Sequence, residues 1–393
     1  MAEMWLSIIG LGEDGLEGLT DASRAALLAA EVIVGGPRHL ALVGAGGRGM
    51  VWPVPFDVAP VLALRGRPVV VLASGDPFWH GAGGSLTALL APGEWRCFAG
   101  ASVVSLAAAH LGWRLEEVTS LGLHAAPIAR LRHYLAPNAR LIITLSGGAA
   151  VAACAQWLTG QGLGATQLWV MESLGGPGQR VRRASAASFD LPDVGPLVTL
   201  ALQAPPKGPF LPGAPGRPEA LFAHDGQITK SPVRAVTLAA LAPSAGALLW
   251  DLGAGSGSVS VEWCLAGGRA IAVEARQDRL SNIQANIDRF GLSGQMQAIL
   301  SRLPDAIIGL EVPEAVFVGG GFSADLMDRL TALPKGTRLV VNTVTLETEA
   351  LVVDLQARLG GSLMRMDFAV AEPLGRLRGW QAARPVVQWS VVL

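Results

Sequence analysis

Three glycines alternate through "LLWDLGAGSGSVSVEW" (248–263): Gly253, Gly255 and Gly257, set behind Asp251. Glycine has no Cβ, so its backbone takes positive φ and approaches a ligand closely. Such a loop after an apolar run suits a nucleotide-like ligand, and Ala254 and Ser256 complete it. The dinucleotide fingerprint puts its last glycine three residues after the second. Counted from Gly255 that place is Ser258, so the spacing argues against a dinucleotide. Further on, "RAIAVE" ends in Glu274, where a carboxylate can take both hydroxyls of a ribose. Two more turns lie near the start of the chain. "LSIIGLGEDG" carries Gly10 and Gly12, and "VVVLASGDPFWHG" runs straight into Ser74-Gly75-Asp76-Pro77. Here too a dinucleotide fails: Gly15 stands three after Gly12, but the next apolar run, "VIVGG", ends in glycines and not in an acid. No Ser-His-Asp or Cys-His arrangement is visible, so no catalytic residue is named. Cys97, Cys154 and Cys264 are far apart and odd in number, and no metal site is expected.

These loops need strands to end on and helices to open. Strands are predicted at Trp5–Ile9, Val32–Val34, Val69–Ala73, Leu141–Leu145, Gln167–Met171 and Leu197–Leu202, and again at Leu248–Leu252, Arg269–Glu274, Ala315–Val318 and Arg338–Asn342. A late pair is expected near Leu363–Val370 and Val386–Val392. Helical stretches lie between most of them, which predicts α/β architecture with ligands at the carboxyl ends of strands. "HDGQITKSPVRAVTLAAL" (224–241) reads as a loop and then a helix, capped at Thr229 or Ser231 with Pro232 in its first turn. Between the halves, "QAPPKGPFLPGAPGRPE" (203–219) holds six prolines. Proline removes backbone donors and fixes φ, so this stretch is a linker. The expected division is a domain over 1–204, a linker over 205–216 and a domain over 217–393.

Composition narrows the class. Hydrophobic residues make up 51% and charged residues 16%, so a membrane span has to be tested. The longest uncharged stretch, Leu141–Met171, lacks the roughly 20 unbroken apolar residues that a span needs. It reads as strand, glycine turn, helix (Ala149–Leu158) and strand, and no membrane association is expected. The opening "MAEMWLSIIGLGEDG" has no basic segment before a long apolar run, so no signal peptide is expected. With the unpaired cysteines, this fits a cytoplasmic protein. The net charge of −1, with no basic run, does not favour nucleic acid as a partner.

The D-x-G-x-G-x-G spacing, with Glu274 after it, is similar to class I S-adenosylmethionine (SAM) methyltransferases. Gly226, Thr229, Lys230, Val233 and Arg234 resemble the G-x-x-T-K-x-x-V-R segment of CbiT-like precorrin C-methyltransferase domains. Gly319–Gly321 in "AVFVGGG" and "LVVNTVTLETEAL" resemble the same domains. In the first half, the Gly10-Gly12 turn, Ser74–Pro77, the Ser102 segment "GASVVSLAAAHLGW" and "MESLGGPGQRV" resemble the tetrapyrrole methylases of CbiE-like type. Three departures stand out: Glu13 where many members have proline, His80 where many have tyrosine, and Gln179 where an acid is common. His80 reads as a local packing or hydrogen-bonding residue.

The combination resembles a fused family of cobalamin biosynthesis. It implies a two-lobed tetrapyrrole methylase domain followed by a Rossmann-like class I methyltransferase domain, assembled as a homo-oligomer (dimer or tetramer). It implies SAM in each domain, on Gly10, Gly12, Gly75, Asp76, Pro77 and Ser102 in the first. In the second the resemblance points to Thr229, Asp251, Gly253, Ala254, Gly255, Ser256, Gly257 and Glu274. The implied reaction methylates precorrin-6B at ring carbons 5 and 15 and removes CO2 from the carbon-12 acetate, giving precorrin-8x. The electron-rich ring is the nucleophile, so alignment matters more than a strong base, and it can contribute roughly 7–11 kcal/mol. Decarboxylation is implied in the second domain. The carboxylate-rich substrate calls for cations. Lys230, Arg234, Arg376 and Arg378 are expected to meet it beside Gly319 and Gly320, and Arg130, Arg132, His133, Arg180, Arg182 and Arg183 are further candidates. The alternative, a two-domain methyltransferase for another tetrapyrrole or for RNA, calls in the RNA case for a basic, aromatic surface that this near-neutral chain lacks.

Overall fold

A computed structural model describes residues 4–393; the first three residues of the opening segment lie outside the described residues. The chain forms two compact units. One comprises the chain up to Ile128 with Tyr134–Pro209, the other Ala129–His133 with Phe210–Leu393.

The first unit has two sheets. Its leading elements are β1 (Leu6–Leu11), α1 (Asp21–Ala29), β2 (Val32–Gly35), α2 (Pro37–Leu42), β3 (Gly49–Val51), α3 (Ala59–Leu62), β4 (Val69–Ser74), α4 (Ala82–Thr87), β5 (Trp95–Phe98) and α5 (Val103–Leu111). Their strands make a parallel sheet in the order β3-β2-β4-β1-β5. β1, "LSIIGL", is buried throughout because neighbours flank both its edges and the sheet has two covered faces. The second sheet is built from β6 (Val118–Gly122), β7 (Arg140–Thr144), β8 (Gln167–Glu172), β9 (Arg180–Ser185) and β10 (Val198–Gln203), ordered β6-β7-β10-β8-β9, with α6 (Gly148–Gly160) between β7 and β8. The long uncharged stretch therefore folds as strand, helix and strand. Among the described residues, no helix is long and apolar enough to cross a membrane.

The second unit opens on α7 (Ser231–Leu241), then β11 (Leu248–Leu252), α8 (Ser258–Leu265), β12 (Arg269–Glu274), α9 (Gln277–Phe290), β13 (Met296–Leu300), β14 (Ala315–Val318), α10 (Ala324–Leu330), β15 (Arg338–Thr343) and α11 (Leu346–Leu359). It closes with β16 (Ser362–Met366), β17 (Ala369–Leu374), β18 (Leu377–Ala382) and β19 (Val386–Val392). Seven strands form one sheet in the order β13-β12-β11-β14-β15-β19-β16. β11 to β15 run parallel, and β19 enters antiparallel beside β15. The order reverses at β11, between β12 and β14, so the crevice at its carboxyl end is the place for a ligand. Two apolar clusters cover the sheet, one around Trp263 and Phe290, the other around Trp250 and Trp389.

Two expectations are corrected here. The predicted strand Leu363–Val370 is two strands, because the chain leaves the large sheet after Met366 and begins a separate hairpin, β17–β18, at Ala369. The helix α7 is capped by neither Thr229 nor Ser231. Lys230 is its N-cap and gives no side-chain bond, while the Ser231 amide donates to Glu219 Oε1 at 2.7 Å.

Candidate active sites

In the second unit the loop between β11 and α8 has φ of +69° at Gly253, +61° at Gly255 and +69° at Gly257. The three glycines meet different demands. A Cβ on Gly253 would stand 2.4 Å from the Gly320 carbonyl, so the loop and the Gly319–Gly321 turn pass backbone against backbone. A Cβ on Gly257 would stand 2.9 Å from the Met296 methyl, at the start of α8. Gly255 meets only the Gln227 carbonyl, at 3.6 Å, so the space beside it is open. Gly253, Ala254 and Gly255 are half-buried, whereas Ser256 and Gly257 are buried. Glu274, buried at the end of β12, accepts the Gly255 amide on Oε2 (2.8 Å) and the Ala275 and Arg276 amides on Oε1 (2.9 and 3.0 Å). A carboxylate has about four acceptor sites, so one remains for a hydroxyl. Asn286, fully buried on α9, donates to the carbonyls of Ser256 and Ala223 and accepts the Ala223 amide, which ties the loop to the segment ahead of α7.

Asp251 was expected on the ligand, but it lies beneath the loop with no exposed surface. Its Oδ2 accepts the Ser260 hydroxyl (2.6 Å) and amide (3.2 Å), which fixes α8 against β11. Burial, with Glu274 nearby, pushes its carboxyl up to about 6. Asp251 is thus a positioning residue. Arg234 is a second correction. Its side chain is sealed in the core, where Nε donates to Glu262 Oε1 at 2.7 Å, its other nitrogens reach the Thr229 and Arg217 carbonyls, and the guanidinium lies over Phe222. No face of it is left for a substrate. Glu262 also accepts the amides of Gly216 and Arg217, so the end of the proline-rich stretch is bonded to α8. Thr229 is half-buried and Lys230, Gly319 and Gly320 are exposed. Arg376 and Arg378 are exposed on the β17–β18 hairpin, whose strands pair only with each other. The structure brings together the glycine loop, Glu274 and Gly319–Gly320, and it does not place the hairpin arginines among them.

In the first unit three loops cross at glycines. A Cβ on Gly10 would stand 1.8 Å from the Gly75 carbonyl and 2.4 Å from the Gly100 amide nitrogen. Gly75 has φ +56°, and a Cβ there would stand 2.7 Å from the Ala101 carbonyl. The end of β1 and the turns after β4 and β5 therefore pack as bare backbone. Beside this crossing is a cavity of about 510 Å³, lined from both sheets of the unit, within the usual range for a small-molecule site. Gly12 and Gly75 are on its wall. Gly10, Asp76, Pro77 and Ser102 are behind it and shape the loops. Asp76 accepts the Phe78 amide at 2.8 Å, the buried Pro77 offers its carbonyl to Gly83, and Ser102 caps α5 through the Ser105 amide.

Glu13, Ser74 and Ser173, on the motifs that the sequence singles out, are on this wall, and with them stand polar groups that sequence reasoning missed: Arg38, His39 and His124. Arg38 pairs with Glu13 and donates to Ser74 at 3.0 Å, and His39 Nε2 is 2.9 Å from the same hydroxyl. Burial, then the Arg38 charge, lowers the His39 imidazole to about 4. The signal was available, since Gly36-Pro37-Arg38-His39 follows the carboxyl end of β2. The arginines expected instead are engaged elsewhere. Glu172 binds Arg180 through both oxygens (2.6 and 2.9 Å) and Arg182 at 3.1 Å. Burial would raise the Glu172 pKa, but these bonds and the Gly195 amide outweigh it and hold it at about 2. Arg183 lies over Trp169. Arg130, Arg132 and His133 fall in the segment that groups with the second unit, where Arg132 lies over Phe290.

Two family models match the chain: the Tetrapyrrole (Corrin/Porphyrin) Methylases over residues 6–190, and the Precorrin methyltransferase domain over residues 220–393. The precorrin-6Y C(5,15)-methyltransferase [decarboxylating] of Sinorhizobium sp is 45% identical over 98% of this chain and 96% of that protein. The chain belongs to the precorrin-6Y C(5,15)-methyltransferase (decarboxylating) family. A member from Mycobacterium tuberculosis (strain CDC 1551 / Oshkosh) is 38% identical over 98% of each chain. The crystal structure of the C-terminal domain of a Rhodobacter capsulatus precorrin-6Y C5,15-methyltransferase is 62% identical, covers 47% of this chain and all of that one, and has a TM-score of 0.46. Precorrin-6Y methyltransferases are enzymes, and SAM is the methyl donor that this membership implies. In this member of the family the residues fit such a donor: a glycine loop with open space at Gly255, and an acid with an acceptor site to spare.

Proposed function

We propose that the chain methylates precorrin-6B at ring carbons 5 and 15 and removes CO2 from the carbon-12 acetate, with one SAM site in each unit. What supports two sites is that each unit ends its central parallel strand in its own glycine crossing, Gly10 against Gly75 and Gly253 against Gly320. SAM supplies a transferable methyl group on a sulfonium. In the second unit Gly253, Ala254 and Gly255 give it a backbone surface, Glu274 takes a ribose hydroxyl, and Thr229 borders it. Asp251, Ser256 and Gly257 hold that loop in shape from beneath. In the first unit Gly12 and Gly75 face it, on loops shaped by Gly10, Asp76, Pro77 and Ser102. Lys230, Gly319, Gly320, Arg376 and Arg378 are the groups proposed to meet the substrate in the second unit, where decarboxylation belongs on the family resemblance. Residues 1–204 and 217–393 are proposed as the two functional domains, in a cytoplasmic homo-oligomer.

Calorimetric titration of the full chain with SAM should find two equivalents bound per chain. Turnover with the precorrin should yield a product with two methyl groups gained and one CO2 lost. A single equivalent of SAM would sink the two-site reading. A product methylated without CO2 release would remove the decarboxylation.

A further inference from the structure

The cavity of the first unit carries five side chains able to hold charge: Glu13, Arg38, His39, His80 and His124. The rest of its wall is apolar, glycine or hydroxyl-bearing. Three of the five have partners within the wall. Arg38 is paired with Glu13 and bonded to Ser74, and His39 is bonded to Ser74 and Arg38. His80 and His124 are different. Neither makes a hydrogen bond or ion pair among the described residues, and each has an aromatic ring beside it. Their rings stand edge to face with centroids 6.3 Å apart, and Trp79 meets His80 edge-on at 4.8 Å.

The placement of His80 has a conformational cost. Its φ is +53°, a region that disfavours any residue with a Cβ. Five non-glycine residues among those described have positive φ, and two of them, His80 and Ser173, line this cavity. Backbone held in such a region points to a demand from function. The imidazole also has a seat made for it. Gly122, at the end of β6, lies so close that a Cβ there would stand 3.1 Å from His80 Nε2. A glycine on one side and an edge-on indole on the other fix the ring beside an apolar wall.

We propose that His80 and His124 form a two-imidazole receptor for a carboxylate in the cavity of the first unit. An imidazole carries at least one N–H donor in either protonation state. Both side chains are exposed, so their N–H groups are open to an incoming ligand, and the two rings, 6.3 Å apart, can each take one oxygen of the same carboxylate. This rests on the proposed function, which brings two carboxylate-bearing molecules to the cavity: the precorrin through its acetate and propionate arms, and SAM through its amino-acid end. The histidines take the part expected of Arg180 and Arg182, which are ion-paired with Glu172, and of Arg183, which lies over Trp169.

The test uses the full chain with His80→Phe, His124→Phe and both together, so that a ring remains and the N–H donors go. Affinity is measured for the precorrin and for its fully methyl-esterified form by absorbance titration, and for SAM by calorimetry. Each single change should weaken one free-acid ligand roughly tenfold, the double change should weaken it further, and the ester should bind equally to all variants. Loss confined to the precorrin assigns the pair to a substrate arm, and loss confined to one of two SAM equivalents assigns it to the cofactor. The proposal is overturned if all affinities stay at wild-type values, if acid and ester weaken alike, or if turnover falls with affinities unchanged, as for a proton-transfer role. A wild-type chain that takes up only one equivalent of SAM would overturn the underlying two-site reading, whatever the histidines do.

Discussion

Asp251 shows how a motif residue can be right in place and wrong in role. It precedes the first glycine by two positions, and sequence alone sets it on the ligand. The fold turns it inward to Ser260, away from any surface. That has a consequence for pH. The folded carboxyl is pushed up to about 6, against an ordinary 3.8. A raised pKa gives stability that is fully present below about 3.8 and is lost as pH rises through about 6. Asp251→Asn should therefore flatten the pH dependence of unfolding across that window. It should also make the second unit more stable at neutral pH, by up to about 2 kcal/mol. Chemical denaturation at several pH values, followed by tryptophan fluorescence, checks this; a variant with the wild-type slope would contradict it.

At the scale of elements, α7, α8 and the segment ahead of them are joined by two buried ion pairs that share Glu262, one to Arg234 and one, at 3.6 Å, to Arg217. Arg234 and Glu262 are both sealed from solvent and 2.7 Å apart. Removing a partner from a buried pair costs about 3–5 kcal/mol when the other charge is left unpaired; loss of Glu262 strands two guanidiniums, whereas loss of Arg234 leaves Glu262 with Arg217 and costs less. Arg234→Met and Glu262→Gln should each lower the unfolding midpoint of the second unit, Glu262→Gln the more, while the fraction that stays folded binds precorrin normally. An Arg234→Met protein of unchanged stability but weaker precorrin binding would restore the substrate role that its position in the sequence suggested.

The same scale explains which strands were legible. β1, β2, β4, β7, β8, β10, β11, β12, β14 and β15 are inner strands, and each reads as an apolar run. β3, β5, β6, β9 and β13 escaped notice, and each is the edge of its sheet. An edge strand has a neighbour on one side only and mixes polar with apolar residues, as "RVRRAS" in β9 does. The hairpin β17–β18 escaped for the same reason: its residues are almost all exposed. The glycine loops were legible because close backbone crossings admit no other residue. Arg38 and His39, in the first turn of α2, and His124, after β6, were not, because they reach the cavity from places distant in sequence from the motifs.

For the whole molecule, the order of units along the chain accounts for two unlike glycine loops in one sequence. Each loop belongs to its own sheet, and each sheet is completed within its own unit. The proline-rich stretch between them is less free than its composition implies. The Pro205 carbonyl accepts the Asn138 amide, and Gly216 and Arg217 are held by Glu262. That anchoring decides where a protease can enter. Trypsin needs an accessible lysine or arginine in a yielding backbone. The stretch offers it two, Lys207, which is exposed, and Arg217, which is buried and followed by Pro218. Brief digestion of the native chain should cut this stretch after Lys207 alone, leaving a second fragment that begins at Gly208 and keeps its bonded leader. Mass spectrometry of the fragments reads the site directly, and a stretch left uncut after Lys207 while other exposed lysines and arginines are cleaved would show that the backbone there does not yield.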